Sequence, residues 1–249
     1  MNVVILMAAG FDEFSDSKKR NFPKFLTEIN NKTLVHHVID GISPFIDKGY
    51  KIIFVIRKVD DEKYFLSRTL KLLATNCVVI ANPGQSAGGA ISALLTIEEV
   101  NETEPLLIIN GDQIIEENLF DLVKNFQNSN VDAGTVVFNS VHPRWSYVKC
   151  NEEGYVIEAA EKKPISNLAT AGFYYYKIAG EFFDSVKKMV LKGADVNGQF
   201  YVCPAFNEMV LSDKKISIFK IDQKKYHSLM TRKMIEDYEF YLLNKKNSD

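Results

Sequence analysis

The sequence predicts an α/β fold, in which helices pack on a central sheet of mainly parallel strands. Through about the first half of the chain, short apolar runs bounded by turn residues alternate with amphipathic stretches. This alternation is typical of parallel strands joined by right-handed helical crossovers. The second half has shorter strand-like runs and a hairpin signal, so we expect a mixed sheet overall.

The elements of the first half follow from their residue patterns. Runs rich in Val, Ile and Leu predict buried strands over residues 3–7, 51–57, 77–81 and 106–110. Apolar residues spaced three and four apart predict helices over residues 34–42, 62–74 and 87–99. The carboxyl ends of such strands meet at one edge of the sheet, which is where open α/β sheets bind ligands.

The second half is predicted from the same signals. Strands are expected over residues 133–138, 146–150, 155–159, 170–177 and 216–221, with residues 151–154 as a hairpin turn. Helices are expected over residues 182–191, 200–211 and 233–243.

The composition indicates an ordinary globular protein of 249 residues, with 46% hydrophobic residues, 25% charged residues and a formal net charge of -2. A charge so close to zero provides no field to hold a polyanion, so nucleic acid is not an expected partner. Three separated cysteines predict neither a disulfide framework nor a zinc site. The N-terminal apolar run is too short for a secretory signal or a membrane span, and we expect a cytoplasmic protein with no membrane partner.

The first strand ends in small residues, Ala8, Ala9 and Gly10, and Pro23-Lys24 follows after a polar loop. Backbone N–H groups beside small side chains can approach phosphates closely, and a lysine ammonium is a point charge suited to a triphosphate. A tight strand-to-loop turn and an ordinary surface lysine are the alternative interpretations. The pattern makes a nucleotide pocket the first hypothesis.

Asp112 follows the apolar run 106–110, so its carboxylate is expected at the same edge of the sheet. Mg²⁺ that keeps its waters and bridges phosphates needs only one or two protein carboxylates. The alternative is that Asp112 caps the next helix near Glu116. We predict a Mg²⁺ site at Asp112.

Six short motifs occur in order along nearly the whole chain. They are Met7-Ala8-Ala9-Gly10, Pro23-Lys24, Gly84-Gln85-Ser86-Ala87-Gly88-Gly89-Ala90, Asn110-Gly111-Asp112, Glu161-Lys162-Lys163-Pro164 and Ala171-Gly172-Phe173-Tyr174. The ordered set resembles the sugar-1-phosphate nucleotidylyltransferases. The resemblance implies a Rossmann-like, three-layer α/β/α nucleotidyltransferase fold of the GT-A-like type, with a small additional β lobe. It also implies one domain over residues 1–249, divided into a nucleotide-binding half (1–130) and a sugar- or acceptor-binding half (131–249).

The resemblance assigns roles to residues of these motifs. Ala8, Ala9, Gly10, Gln85, Gly88 and Asp112 would bind the nucleotide, with Gln85 and Gly88 at the nucleobase, and Lys24 would serve catalysis. Lys162 would grip the sugar phosphate and also counts as catalytic, although the doubled lysine leaves Lys163 possible. Glu161 and Gly172 would contact the sugar.

Other interpretations stay open for these segments. Residues 84–90 could be a glycine-rich connection with Ser86 as a helix N-cap, and residues 161–164 could be a charged hairpin end. Trp145 could stack on a sugar but is more simply a packing residue, so we leave it out of the predicted site.

Two positions depart from the family pattern. Glu13 stands where the family has a loop arginine, and an acid there would repel a triphosphate unless it binds metal. Lys18, Lys19 or Arg20 could supply the missing cation. Ser228 stands where many members place a second metal-binding aspartate, which puts chemistry with two metal ions in doubt.

Three hypotheses follow. The first is a nucleotidylyltransferase that uses a nucleoside triphosphate, a sugar phosphate and Mg²⁺, with self-association possible. Residues 111–113, 142–147 and 200–204 further resemble a bacterial branch often encoded with surface-polysaccharide genes, which implies a role in capsule or lipopolysaccharide biosynthesis. The second is a GT-A-type glycosyltransferase. The third is a catalytically impaired protein that binds a sugar nucleotide.

Overall fold

The computed structural model describes residues 1–8, 23–84 and 86–246, with side chains described up to residue 245. It confirms the predicted α/β class. The strands are β1 (Asn2–Leu6), β2 (Glu28–Ile29), β3 (Lys32–Thr33), β4 (Lys51–Arg57), β5 (Val78–Asn82), β6 (Leu106–Asn110), β7 (Gln113–Ile115), β8 (Ala133–Asn139), β9 (Ser146–Cys150), β10 (Val156–Glu161), β11 (Leu168–Tyr176), β12 (Ile216–Lys220) and β13 (Tyr226–Ser228). The helices are α1 (Leu34–Asp47), α2 (Lys58–Tyr64), α3 (Leu66–Leu73), α4 (Gly89–Leu94), α5 (Leu119–Asn128), α6 (Ala179–Leu191), α7 (Phe206–Val210) and α8 (Arg232–Lys246).

One nine-stranded sheet runs through both halves of the chain in the order β10-β9-β11-β6-β1-β4-β5, with β8 beside β11 and β12 beside β8. Strands β5, β4, β1 and β6 pair in parallel, as do β8 and β12. Strand β11 is antiparallel to β6, β8 and β9, and β10 is antiparallel to β9. Only β10 and β11 therefore run against the common direction of this sheet, as a mainly parallel mixed sheet requires.

Both faces of the sheet are buried. Along β1, Val3 and Ile5 pack into one hydrophobic core, and Val4 and Leu6 pack into the other. This alternation follows from the two-residue period of a strand. Helices cover both faces, so the continuous apolar run that predicted β1 reflects burial on two sides.

Three predicted helices are divided or shortened in the structure. The helix predicted over residues 62–74 is two helices, because Phe65 adopts a left-handed conformation (φ 56°) and separates α2 from α3. The helix predicted over 87–99 is only α4, and turns follow it. The helix predicted over 200–211 begins later, as a 3₁₀ turn at Cys203–Ala205 that leads into α7.

The first helix is longer than predicted. It continues past Pro44 to Asp47, and it buries Phe45 completely. Burial of this phenyl ring stabilises the last turn and opposes the weakening caused by the missing proline N–H. Over the described ranges, no helix has the length and apolar character needed to cross a bilayer.

Candidate active site

Two predicted site residues of the first half, Ala8 and Asp112, lie at the carboxyl edge of the sheet. Ala8 follows β1, Asp112 follows β6, and the register pairs Leu6 of β1 with Asn110 of β6. The amide of Gly111 donates to the carbonyl of Leu6 at 2.9 Å, so the two strand ends remain joined where they leave the sheet. A Cβ atom on Gly111 would lie 2.7 Å from Cγ of Met7, which explains why glycine precedes Asp112.

Lys24 and Asp112 form an ion pair, with Nζ of Lys24 2.7 Å from Oδ2 of Asp112. Lys24 begins a 3₁₀ turn, Lys24–Leu26, whose middle residue Phe25 is buried and anchors the segment. The two charged side chains are 12% and 21% exposed, so the pair is largely removed from water. Residues 88 positions apart in the chain are thus brought together, as the nucleotide-pocket hypothesis requires.

Asp112 does not cap the following helix, and this alternative is wrong. Asn118 is the N-cap of α5, and its side chain accepts hydrogen bonds from the amides of Phe120 and Asp121. Strand β7 intervenes between Asp112 and that helix. The backbone carbonyl of Asp112 instead accepts a 2.8 Å hydrogen bond from the amide of Leu229.

The donor set at Asp112 suits a mostly hydrated magnesium ion. In the part of the chain that the structure describes, no group of three His, Cys, Asp or Glu side chains could enclose a metal. Ser228 of β13 pairs with Gln113, the residue that follows Asp112 in the chain. One carboxylate, phosphate oxygens and water molecules form a usual set of ligands for Mg²⁺, and Asp112 fits that role.

The structure describes only part of the two loops that the sequence predicts to bind the nucleotide. Ala8 is buried in the core beneath the site. The predicted contacts at Ala9, Gly10 and Gln85, and the departures at Glu13, Lys18, Lys19 and Arg20, lie outside the described residues. Ser86 does not cap α4, since Gly88 is the N-cap residue and the hydroxyl of Ser86 accepts a hydrogen bond from Ser92 at 2.7 Å.

Gly88 is required by the packing of the chain. Its φ of +108° is rarely adopted by other residues, and a Cβ atom there would overlap the backbone of Phe200. The amide of Phe200 donates to the carbonyl of Ala87 at 2.6 Å, and the amide of Ala90 donates to the carbonyl of Phe200 at 3.0 Å. The glycine loop is therefore held against a segment from the second half of the chain.

Asn82, the last residue of β5, is a polar group at this edge that the sequence analysis missed. It is 5% exposed, and its Oδ1 accepts a hydrogen bond from the amide of Gly84 at 3.3 Å. Its Nδ2 atom is buried and has no hydrogen-bond partner among the described residues. A buried amide donor left unpaired at a ligand-binding edge is an unusual and costly feature. The sequence does contain a signal for Asn82, because it is a polar residue at the end of an apolar run.

Glu161 and Lys162 lie at the end of β10, on the second-half side of the site. Glu161 is 8% exposed, and the hydroxyl of Ser146 donates to its Oε2. Burial raises the pKa of Glu161 to about 7, against the opposing effects of the Ser146 hydrogen bond and the Lys162 charge. Near neutral pH, this carboxyl group can therefore act as either a donor or an acceptor.

Lys162 adopts a left-handed backbone conformation (φ 54°), and its amide donates to the carbonyl of Trp145 at 3.0 Å. Its ammonium donates to the hydroxyl of Tyr201 at 2.8 Å. Lys163 is exposed, and no hydrogen bond or ion pair holds its side chain within the described ranges. Of the doubled lysines, Lys162 is the one whose position the fold fixes.

Gly172 (φ +57°) lies in β11, which separates β6 from β9 in the sheet. A Cβ atom on Gly172 would overlap the side-chain amides of Gln113 and Asn110, so close internal packing already requires glycine here. Nε2 of Gln113 donates to the carbonyl of Ala171, and the hydroxyl of Tyr226 donates to Oε1 of Gln113 at 3.2 Å. Gln113 is a second polar residue that the sequence analysis missed, and its side chain connects the chain after Asp112 to β11.

Trp145 has the packing role expected of it. Its ring meets Phe138 and Tyr226 edge-on, with both pairs of ring centroids 5.6 Å apart. Tyr226 stacks on Phe138 at 4.4 Å. This aromatic group supports Gln113 through the hydroxyl of Tyr226.

A family model described as Nucleotidyl transferase matches residues 19–197, which is more than half of the chain. The protein therefore belongs to the nucleotidyl transferase family, and the resemblance drawn from the six motifs is confirmed. The match begins before Lys24 and ends after Lys162, so it includes both charged groups described above.

Individual relatives agree with this assignment. The chain is 25% identical over 229 residues to the UTP--glucose-1-phosphate uridylyltransferase AglF of Haloferax volcanii, covering 88% of this chain and 87% of that protein. Its fold is similar to that of a nucleoside-diphosphate-sugar pyrophosphorylase from Vibrio cholerae (TM-score 0.81, 20% identity, 96% and 99% of the two chains covered). It is also similar to an inositol-1-phosphate CTP transferase from T. maritima (TM-score 0.73, 15% identity, 98% and 95% covered).

Proposed function

We propose that this protein transfers a nucleoside monophosphate from a nucleoside triphosphate to a sugar 1-phosphate or a related phosphate ester, releasing pyrophosphate. The observation that carries the proposal is the 2.7 Å contact between Lys24 and Asp112 at the carboxyl edge of the sheet. A cation suited to phosphates and a carboxylate suited to a divalent metal lie side by side where α/β sheets bind nucleotides. The activities for which AglF and the structural neighbours are named support a phosphate ester as the acceptor.

The chemistry exchanges one phosphorus–oxygen bond for another. An oxygen of the acceptor phosphate attacks the α-phosphorus, and the bond from this phosphorus to the oxygen bridging to the β-phosphate breaks. Pyrophosphate leaves with the electron pair. The nucleophile is already an anion, so catalysis needs mainly alignment of the two substrates and neutralisation of charge.

On the nucleotide side, Lys24 would bind phosphate oxygens, exchanging its contact with Asp112 for them. Asp112 is the residue that would hold Mg²⁺, which when bound neutralises the triphosphate and orients the α-phosphate. Ala8, Ala9 and Gly10 would approach the nucleotide through their backbones. Gln85 and Gly88 would contact the nucleobase, and the unpaired amide of Asn82 adds a donor at the same edge.

On the acceptor side, Lys162 would bind the acceptor phosphate and Glu161 would hydrogen-bond a sugar hydroxyl. The Glu161 pKa of about 7 allows either direction of that hydrogen bond near neutral pH. Gly172, in β11, would border the bound sugar. Arrangement of both substrates around β6 and β11 would bring the acceptor phosphate to the α-phosphorus.

Three broader features belong to the same proposal. We place the enzyme in the cytoplasm as a single domain over residues 1–249, and sedimentation measurements test whether it self-associates. We assign its product to capsule or lipopolysaccharide biosynthesis because residues 111–113, 142–147 and 200–204 resemble the bacterial branch with that role. Nucleic acid and membrane are not among its proposed partners.

The deciding experiment measures pyrophosphate release with Mg²⁺, each common nucleoside triphosphate in turn, and a panel of sugar 1-phosphates and other phosphate esters. Release that requires both one triphosphate and an acceptor supports the proposal and identifies the base. Hydrolysis or sugar transfer from a nucleotide sugar would instead favour a glycosyltransferase. No turnover, together with a melting temperature raised by nucleotide sugar, would favour a binding protein.

A further inference from the structure

The side chain of Tyr201 contacts the ammonium of Lys162. The phenol oxygen accepts a 2.8 Å hydrogen bond from Nζ, and Nζ lies 5.1 Å from the centroid of the ring. Tyr201 is half-buried, whereas Lys162 is exposed. An exposed lysine side chain normally samples many rotamers, and holding it in one of them carries an entropic penalty. The contact therefore fixes the tip of a side chain that solvent would otherwise leave free.

The other end of Lys162 is also fixed. Its amide donates to the carbonyl of Trp145 at 3.0 Å, and its φ of 54° lies in the left-handed region. Unfavourable backbone conformations persist in proteins where the surrounding structure enforces them, and they concentrate at functional sites. The Tyr201 hydrogen bond raises the pKa of Lys162, which keeps the side chain cationic.

Tyr201 is in turn held by its neighbours in the chain. Phe200 exchanges backbone hydrogen bonds with Ala87 and Ala90 on either side of the Gly88 loop. Val202, on the other side, is buried and leads into the 3₁₀ turn at Cys203–Ala205. One short segment therefore contacts the nucleotide loop through its backbone and the acceptor lysine through its side chain.

We propose that Tyr201 is a positioning residue for the acceptor phosphate: its hydroxyl holds Lys162 in place, and the Phe200–Tyr201 segment ties this lysine to the nucleotide loop. The proposal rests on the proposed function of Lys162 as the acceptor-phosphate ligand. One of the three ammonium donors is used by Tyr201, and two remain for phosphate oxygens. Within the described residues, the hydroxyl of Tyr201 contacts Lys162 and not Lys24 or Asp112, so we expect triphosphate binding to be independent of it.

The test is Tyr201→Phe, which keeps the ring and removes only the hydroxyl. We expect the KM for the acceptor to rise roughly tenfold, as for loss of one charge-assisted hydrogen bond, while the KM for the triphosphate and kcat change less than about twofold. Tyr155→Phe is the matched control, because Tyr155 is also half-buried and its hydroxyl has no hydrogen bond within the described residues. An unchanged acceptor KM, or equal changes for both substrates, would overturn the proposal.

A double-mutant cycle tests whether Tyr201 acts through Lys162. In a Lys162→Met background, Tyr201→Phe should have no further effect on kcat/KM for the acceptor. If the double variant loses kcat/KM by the product of the two single-variant factors, Tyr201 does not act by positioning Lys162. Unfolding temperatures of all four proteins separate this effect from a loss of folding.

Calorimetry with glucose 1-phosphate alone separates this proposal from the proposed function. If the wild type releases no pyrophosphate, the transferase proposal fails. Binding of glucose 1-phosphate about tenfold weaker in Tyr201→Phe would still support the positioning role. Equal affinity in the two proteins, or no binding by either, would overturn it.

Discussion

At the scale of single residues, a substitution at Asp112 best distinguishes a loss of catalysis from a loss of folding stability. Asp112→Asn keeps the shape of the side chain and removes its charge. We expect turnover to fall by about 100-fold or more, because a charged metal ligand at a phosphoryl-transfer site is lost. The free energy of unfolding should change by about 2 kcal/mol or less, since Asp112→Asn keeps a hydrogen-bond acceptor beside Lys24 and removes only the charge of one largely buried ion pair.

Steady-state pyrophosphate release and urea unfolding of the same preparations measure the two quantities. Asp40→Asn is the matched control, because Asp40 pairs with Lys32 at 2.6 Å on the exposed surface and belongs to none of the site motifs. Unchanged turnover in Asp112→Asn would remove this residue from the site.

Glu161 makes stability depend on pH. Burial raises its pKa from 4.5 to about 7, so between these values the folded protein binds more protons than the unfolded chain. The stabilisation is complete below about pH 4.5 and is lost as the pH rises through 7. The loss amounts to roughly 3 kcal/mol across this range.

Urea unfolding of the wild type and of Glu161→Gln at pH 5 and pH 8 isolates this effect from other titrating groups. The wild type should lose stability relative to the variant on going from pH 5 to pH 8. Parallel pH profiles for the two proteins would show that Glu161 does not titrate in this range.

Glu13 carries a prediction from the sequence alone. If it merely replaces the family arginine, Glu13→Arg should leave turnover unchanged or increase it, because a cation replaces an anion beside the triphosphate. The measurement is kcat/KM for the triphosphate at low ionic strength. A severe loss of turnover would mean that the acid has acquired a role of its own.

At the scale of elements, the loop before α4 depends on Gly88. Gly88→Ala should lower the free energy of unfolding by about 2 kcal/mol or more, since its Cβ would meet the Phe200 backbone at a φ of +108°. Gly84→Ala is the control in the same loop, because no atom of the described residues lies within 4 Å of a Cβ there. It should change stability by less than about 0.5 kcal/mol.

Thermal and urea unfolding of both variants provide the comparison. Gly88→Ala should also weaken triphosphate binding, since the loop would have to shift away from Phe200. Equal stability of the two variants would contradict the close packing between the loop and Phe200.

At the scale of the whole molecule, the continuous sheet predicts one cooperative unfolding unit. Ile5 is fully buried in the central strand β1, and Ile5→Ala should cost about 3 kcal/mol. Trp145, the one tryptophan of the sequence, lies in the other half of the chain. Its fluorescence and the far-UV circular dichroism should therefore report the same shifted transition. Two separate transitions would indicate that residues 1–130 and 131–249 unfold independently.

Much of the site was predictable because the strands that carry it are predictable. Residues 51–57, 106–110 and 146–150 match β4, β6 and β9 at both ends. Once β1 and β6 are placed as parallel neighbours, Ala8 and Asp112 must emerge at one edge. The helix ends were less predictable, because Phe65 and Pro44 depend on packing against the rest of the molecule.

The sequence by itself determined the α/β class, and it predicted the edge of the sheet for the candidate site and the candidate residues Lys24, Asp112, Glu161 and Lys162. These predictions follow from local residue patterns and from the order of short motifs along the chain. Only the tertiary structure decided that Lys24 pairs with Asp112, that Tyr201 holds Lys162, and that Gly88 and Gly172 are required by the Phe200 backbone and by Gln113. These contacts join residues far apart in the chain, and their partners are set by how strands and loops meet in space.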